Sequence, residues 1–308
     1  MLKKEHMSTI WSAAPTPMNN DYSIDEASVA RLAEHHYELG VRGVFICGTS
    51  GEGPWLSNAM RCKLAAATVK ASAGRLATAA QITDNSAERM IENLKMLVDA
   101  GIDVAVIAPP FFALNVTQDY IYDVYAKVID ASPIPIGLYH RGPHSSVPVT
   151  AETLARLVAL PKVVTVKDSS GSEDDARILL AARDRLRGTK EFYVYCGDEF
   201  ACNQAGRLGY DGMTLGGGCF NAKWAKLIFE AAKAGRNEEA DALQERLNTF
   251  MYDVFGGKSI ACWMAGQKQL MVELGVFSTR ASLLNYQLTP ECAAAIKAAI
   301  ARDGEFLH

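Results

Sequence analysis

The chain has 308 residues, 49% of them hydrophobic and 21% charged, enough apolar side chain for an ordinary core; this excludes a disordered or low-complexity protein. With 31 Lys and Arg against 35 Asp and Glu, the net charge is −4. That balance argues against a nucleic-acid or membrane-surface binder, and no apolar run reaches the ~18 residues of a membrane-spanning helix.

The opening Met1-Leu2-Lys3-Lys4-Glu5-His6 has no apolar signal-peptide core, so a soluble cytoplasmic protein is expected. Short β-rich runs then alternate with longer helical ones. A first strand is predicted over 9–14. The helix over 25–39 that follows has apolar residues at helical spacing. Strand 43–47 leads to helix 57–73, and strand 76–81 to a helix that follows Asp84 and Asn85 and ends near Ala100. Strand 104–108 precedes a helix capped by Thr117, and strand 135–139 one capped by Thr150. Strands over 163–167, 192–196 and 212–215 complete a set of eight. Leu39-Gly40, Ala100-Gly101 and Leu208-Gly209 each stand just before a strand, where glycine suits a left-handed helix end. After Asn221 the β signal stops, and helices are expected over 222–234, 238–255, 259–274 and 290–302.

Units of roughly 30 residues match βαβ crossovers and imply a parallel sheet. Eight such regular units favour a closed (β/α)8 barrel over 1–234, with a three-helix C-terminal region over 235–308. Seven cysteines, an odd number without CxxC spacing, are expected to be reduced and mostly buried; neither a disulfide framework nor a zinc knuckle is implied.

Barrel enzymes carry their chemistry at the C-terminal ends of the strands. Lys167 ends Val163-Val164-Thr165-Val166-Lys167, and strand alternation puts Val163, Thr165 and Lys167 on one face. If that face lines the barrel, desolvation disfavours the ammonium, and a neutral amine can attack a ketone to form a Schiff base. The plainer alternative is a surface lysine or an ion-pair partner of Asp168. Tyr139 ends Pro135-Ile136-Gly137-Leu138-Tyr139, and the same parity aims its phenol over the mouth, where it can relay protons. A core tyrosine with a solvated hydroxyl is the competing reading. Gly48-Thr49-Ser50-Gly51-Glu52 offers hydroxyls and backbone N–H groups that can cradle a carboxylate or phosphate.

The chain resembles the dihydrodipicolinate synthase / N-acetylneuraminate lyase family of class I aldolases in three stretches. These are Gly48-Thr49-Ser50-Gly51-Glu52, Leu138-Tyr139, and Val166-Lys167-Asp168-Ser169-Ser170-Gly171; Gly197-Asp198 and the 212–221 stretch match more weakly. The resemblance implies a barrel with three C-terminal helices, commonly a homotetramer, without metal or other cofactor. It implies that Lys167 forms an imine with pyruvate or another 2-keto acid, that Tyr139 shuttles protons, and that Thr49, Ser50 and Gly51 belong to the substrate cradle. Thr214, in the weaker 212–221 match, is carried with the substrate-binding set.

Two departures bear on the substrate. His144 in Tyr139-His140-Arg141-Gly142-Pro143-His144 falls where synthases place an arginine for the carboxylate of aspartate semialdehyde, and Arg141 could substitute only with a different loop path. Phe112, in Pro110-Phe111-Phe112, stands where the family has a relay tyrosine that a neighbouring subunit contributes, and it cannot pass a proton. Trp55 adds bulk after the cradle. The expected activity is therefore a lyase, aldolase or dehydratase on another 2-keto acid, such as a deoxy sugar acid or an aromatic adduct of pyruvate. The alternatives are 4-hydroxy-tetrahydrodipicolinate synthase and a keto-acid sensor without turnover. Metal binding by His140 and His144 needs a helix that Gly142-Pro143 disfavours. Phosphate binding at Gly216-Gly217-Gly218 is opposed by Asp198 and Glu199.

Overall fold

A computed structural model describes residues 3–7 and 10–308. Eight strands, all parallel and paired in chain order, close into one barrel, with β8 hydrogen-bonded to β1. They are β1 Ile10–Ser12, β2 Gly43–Ile46, β3 Ala77–Gln81, β4 Val104–Ile107, β5 Ile136–His140, β6 Val163–Asp168, β7 Tyr193–Cys196 and β8 Gly212–Leu215. A helix follows each strand: α1 Glu26–Glu38, α2 Asn58–Ser72, α3 Ala87–Asp99, α4 Gln118–Ala131, α5 Ala151–Leu157, α6 Glu173–Leu186, α7 Cys202–Leu208 and α8 Gly218–Lys233. The helices α9 Asn237–Phe255, α10 Trp263–Glu273 and α11 Pro290–Asp303 complete the chain. This is the (β/α)8 barrel that the alternating pattern predicts. Among the described residues no helix is long and apolar enough to cross a membrane.

Local chemistry sets most boundaries. Side-chain oxygens of Asp25, Ser57, Thr117, Thr150 and Ser172 accept backbone N–H groups at helix starts, filling donors that a first turn leaves unpaired. Gly40, Gly101 and Gly209 carry φ of 81°, 92° and 82°, the left-handed exits expected before strands.

The differences from the sequence reading have identifiable causes. Of the first predicted strand, Thr9 lies outside the described residues, as do Met1 and Leu2, and pairing is regular only to Ser12. Strand β2 stops one residue early because Cys47 turns left-handed, at φ 57°. Strand β5 starts at Ile136, since Pro135 has no N–H to give the ladder, and it runs on to His140. Helix α10 begins about one turn late because Ile260 adopts φ 54°. In β6 a bulge skips a residue, so Ile136 pairs with Val163 but Gly137 pairs with Thr165. Val163 thus packs in the outer layer with the helices, and only Thr165 and Lys167 of the predicted trio line the barrel.

The barrel interior is filled. Trp11, Phe45, Val104, Val106, Tyr139 and Tyr195 occupy it, with Ala77 and Ala79 making room for the large rings. Each fully buried ring contributes about 2–3 kcal/mol of transfer free energy. Trp11 donates its indole N–H to the His6 carbonyl at 2.7 Å, which fixes its ring within the plug. A substrate cannot thread this core, so chemistry is confined to the mouth.

Candidate active site

Lys167 and Tyr139 are paired neighbours at the C-terminal ends of β6 and β5. The Lys167 ammonium lies 4.6 Å from the Tyr139 ring centroid and 5.7 Å from that of Phe45. Phe45 meets Tyr139 edge-on with centroids 6.1 Å apart, so the two rings form an apolar floor beneath the amine. Gly197 lies against it: a methyl group there would fall 2.8 Å from Lys167 Cε and 1.9 Å from Ser169 Oγ, so both side chains would have to move. The void below the amine, bounded by Thr165, Tyr195 and Thr214, measures ≈ 30 Å³, room for a water or two and no substrate. Thr214 therefore faces the bore under Lys167 rather than the open mouth.

The Tyr139 ring is buried, and burial alone would raise its phenol pKa. The positive charges of Lys167 and Arg141, with hydrogen bonds from Ser169 and Thr49, outweigh it and hold the phenol below its ordinary value. Those interactions bring Thr49, Arg141 and Lys167 into one electrostatic unit around the hydroxyl.

The cradle is a tight turn directly after β2. Glu52 N–H donates to Thr49 O at 3.1 Å and Gly53 N–H to Gly48 O at 3.0 Å, while the Thr16 hydroxyl ties Gly51 O at 2.6 Å. Gly53 has no alternative, because a methyl group on it would lie 1.7 Å from the Cys47 carbonyl oxygen. Gly53→Ala is expected to cost about 3 kcal/mol by overpacking against backbone. A urea unfolding curve with an unchanged midpoint would contradict that packing account.

Ser50 Oγ and Glu199 Oε1 both border Gly216: a methyl group on that glycine would stand 3.2 Å from the first and 3.5 Å from the second. Glu199 is the group the sequence reading missed, having weighed it only as a charge that repels phosphate. It is buried, and its Oε2 accepts the Gly217 N–H at 2.5 Å and the Asn221 amide at 3.0 Å. Burial raises its pKa, against the opposing pull of those donors and of Lys167. The signal for it is positional, a carboxylate two residues after Gly197 at the end of β7. Asp198 is a helix cap, accepting the Phe200 N–H at 2.9 Å.

The remaining candidates scatter. His144 is exposed in the short turn Gly142–His144. His140, the last residue of β5, is buried with its Nε2 2.7 Å from Asp175 Oδ2 of α6. Phe112 is 62% exposed on the loop after β4, near Phe111 and Leu114, and its N–H donates to Asn85 Oδ1 at 2.9 Å. Within one chain it does not join Lys167 and Tyr139. Trp55, just past the cradle, is also exposed.

The family profile described as dihydrodipicolinate synthetase matches residues 6–287. A 4-hydroxy-tetrahydrodipicolinate synthase from Thioalkalivibrio sulfidiphilus (strain HL-EbGR7) is 29% identical over 243 residues, covering 79% of this chain and 81% of the relative. The fold superposes on the chloride-inhibited dihydrodipicolinate synthase of Acinetobacter baumannii, complexed with pyruvate. The TM-score there is 0.83 and the identity 25%, over 97% of this chain and 99% of that one. It also matches CdNal from Clostridium difficile in complex with mannosamine. That TM-score is 0.82 at 20% identity, over 95% and 98% of the two chains, a likeness of fold alone.

Proposed function

The chain belongs to the dihydrodipicolinate synthetase family, and on that premise we propose that it is a Schiff-base lyase acting on pyruvate or a larger 2-keto acid. The observation that carries this reading is the Lys167 amine at the barrel mouth, 4.6 Å from the ring of Tyr139, whose hydroxyl also meets Thr49 of the turn after β2. The amine attacks the C2 carbonyl, and loss of water from the carbinolamine leaves a protonated imine. That imine is an electron sink, so a C3 proton or the C3–C4 bond can be given up to leave an enamine. Tyr139 exchanges protons with the imine nitrogen and the departing or attacking oxygen. Thr49, Ser50 and the N–H groups around Gly51 hold the keto-acid carboxylate.

The loop after β5 disfavours a second substrate that carries a carboxylate. His144 stands exposed where the family's synthases place an arginine, and an imidazole is not the fixed, forked cation that a guanidinium is. We therefore favour reversible cleavage of a 2-keto-3-deoxy sugar acid. The Arg141 charge felt at Tyr139 supports the second reading, 4-hydroxy-tetrahydrodipicolinate synthase. The test is a rate comparison on one preparation: pyruvate release from 2-keto-3-deoxy acids against condensation of pyruvate with aspartate semialdehyde. A higher kcat/KM in the second assay overturns the favoured substrate. Imine formation without turnover in either would favour a keto-acid sensor.

Seven free cysteines, six of them buried, suit a reducing compartment, and we place the enzyme in the cytoplasm. Phe111, Phe112 and Leu114 expose apolar surface on one loop, the kind of patch that a partner covers. We assign that partner to a second copy of the chain within a homotetramer. Light scattering is expected to give a multiple of 33.4 kDa, and Phe112→Glu a smaller species. A wild-type monomer contradicts the assignment.

A further inference from the structure

The turn that carries Thr49 and Ser50 is anchored from the far end of the chain. Glu52, left-handed at φ 56°, is 0% exposed and sits in ion-pair contact with Lys268 of α10, itself 0% exposed, at 2.5 Å. The other Glu52 oxygen accepts the Leu283 N–H at 2.6 Å and the Ser282 hydroxyl at 2.9 Å. Lys268 also donates to the Ala281 carbonyl at 2.6 Å. Its neighbour Gln267, equally buried, donates to the Gly216 carbonyl at 2.7 Å. Two consecutive residues of one C-terminal helix thus grip the two loops that border Ser50 Oγ.

Packing alone does not call for this arrangement. A buried ion pair is often matched or bettered in stability by apolar side chains of the same volume, because desolvation offsets the Coulomb gain. What charges and directed hydrogen bonds add is a fixed geometry.

We propose that Lys268 and Gln267 are positioning residues, which hold the 48–53 and 216–218 loops so that Thr49 and Ser50 meet the keto-acid carboxylate. The proposal rests on reading that turn as the carboxylate cradle. Neither side chain is expected to touch the substrate.

The test compares the full-length wild type with Gln267→Leu and with the double variant Glu52→Gln/Lys268→Met, which removes both charges together. Borohydride traps the imine over a range of pyruvate concentrations, and acetone serves as a ketone without a carboxylate. Thermal melts report folding. In both variants half-saturation by pyruvate is expected to rise by about tenfold or more, the scale of an ångström-level misplacement, while acetone trapping stays at the wild-type level. Folded variants with wild-type pyruvate saturation overturn the proposal. So does an equal loss with both ketones, the mark of general loosening. If the double variant does not fold, Gln267→Leu decides alone. If the wild type traps neither ketone, the reading of the site itself falls, and the proposal falls with it.

Discussion

Lys167→Ala is expected to abolish turnover, with a loss on the order of 10⁵-fold or more, the scale seen when an enzyme loses its nucleophile. The fold should survive. Lys167 ends its strand at the barrel mouth, and its ring contacts with Tyr139 and Phe45 are worth about 1 kcal/mol. Lys167→Arg sharpens the point. It keeps a positive charge beside the same rings, but a guanidinium does not deprotonate and cannot become an imine nitrogen. Both variants should melt near the wild-type temperature and be equally inactive. Activity retained by Lys167→Arg would reduce the residue to an electrostatic role.

Tyr139→Phe is expected to lower kcat by about 10²–10⁴-fold, the contribution of a positioned acid–base group. Because Lys167 remains, the imine should still be trapped, only more slowly. The pH profile carries a second readout. Burial pushes the phenol up, and Lys167, Arg141, Ser169 and Thr49 together push it further down. The neutral phenol donates protons, so activity that depends on it should fall as pH rises through a pKa below the ordinary ~10 of tyrosine. Removing the Arg141 charge disfavours the phenolate, so Arg141→Met should move that alkaline limb to higher pH. A limb that stays in place in Arg141→Met would contradict the electrostatic account of Tyr139.

Much of this molecule is legible in its sequence because the relevant physics is local. Helix caps such as Thr117 and Thr150 act within three residues, and a glycine such as Gly209 marks a helix end by its own backbone freedom. Strand parity also placed Lys167 and Tyr139 on the inner face, where both lie. That logic failed at Val163, since a bulge depends on the neighbouring strand and leaves no mark in the sequence. It also missed the left-handed Cys47 and Ile260, side chains that are not expected at positive φ. Motif resemblance pointed to Thr49, Tyr139 and Lys167 together; Glu199 had only its position after β7, and its contact with the Gly216 loop is made by the fold. Lys268 and Gln267 were least visible, because the loop residues they hold, Glu52 and Gly216, are more than 200 and 51 residues away along the chain. Phe112 lies on the surface of a single chain, as a residue that corresponds to one contributed by a neighbouring subunit would.

Mass spectrometry of the intact protein after incubation with pyruvate and sodium borohydride tests the central claim most directly. The account predicts one reduced-pyruvate adduct per chain, mapped by digestion to the peptide containing Lys167 and absent from Lys167→Ala. An adduct on another lysine, or none with pyruvate or any larger 2-keto acid, would contradict it.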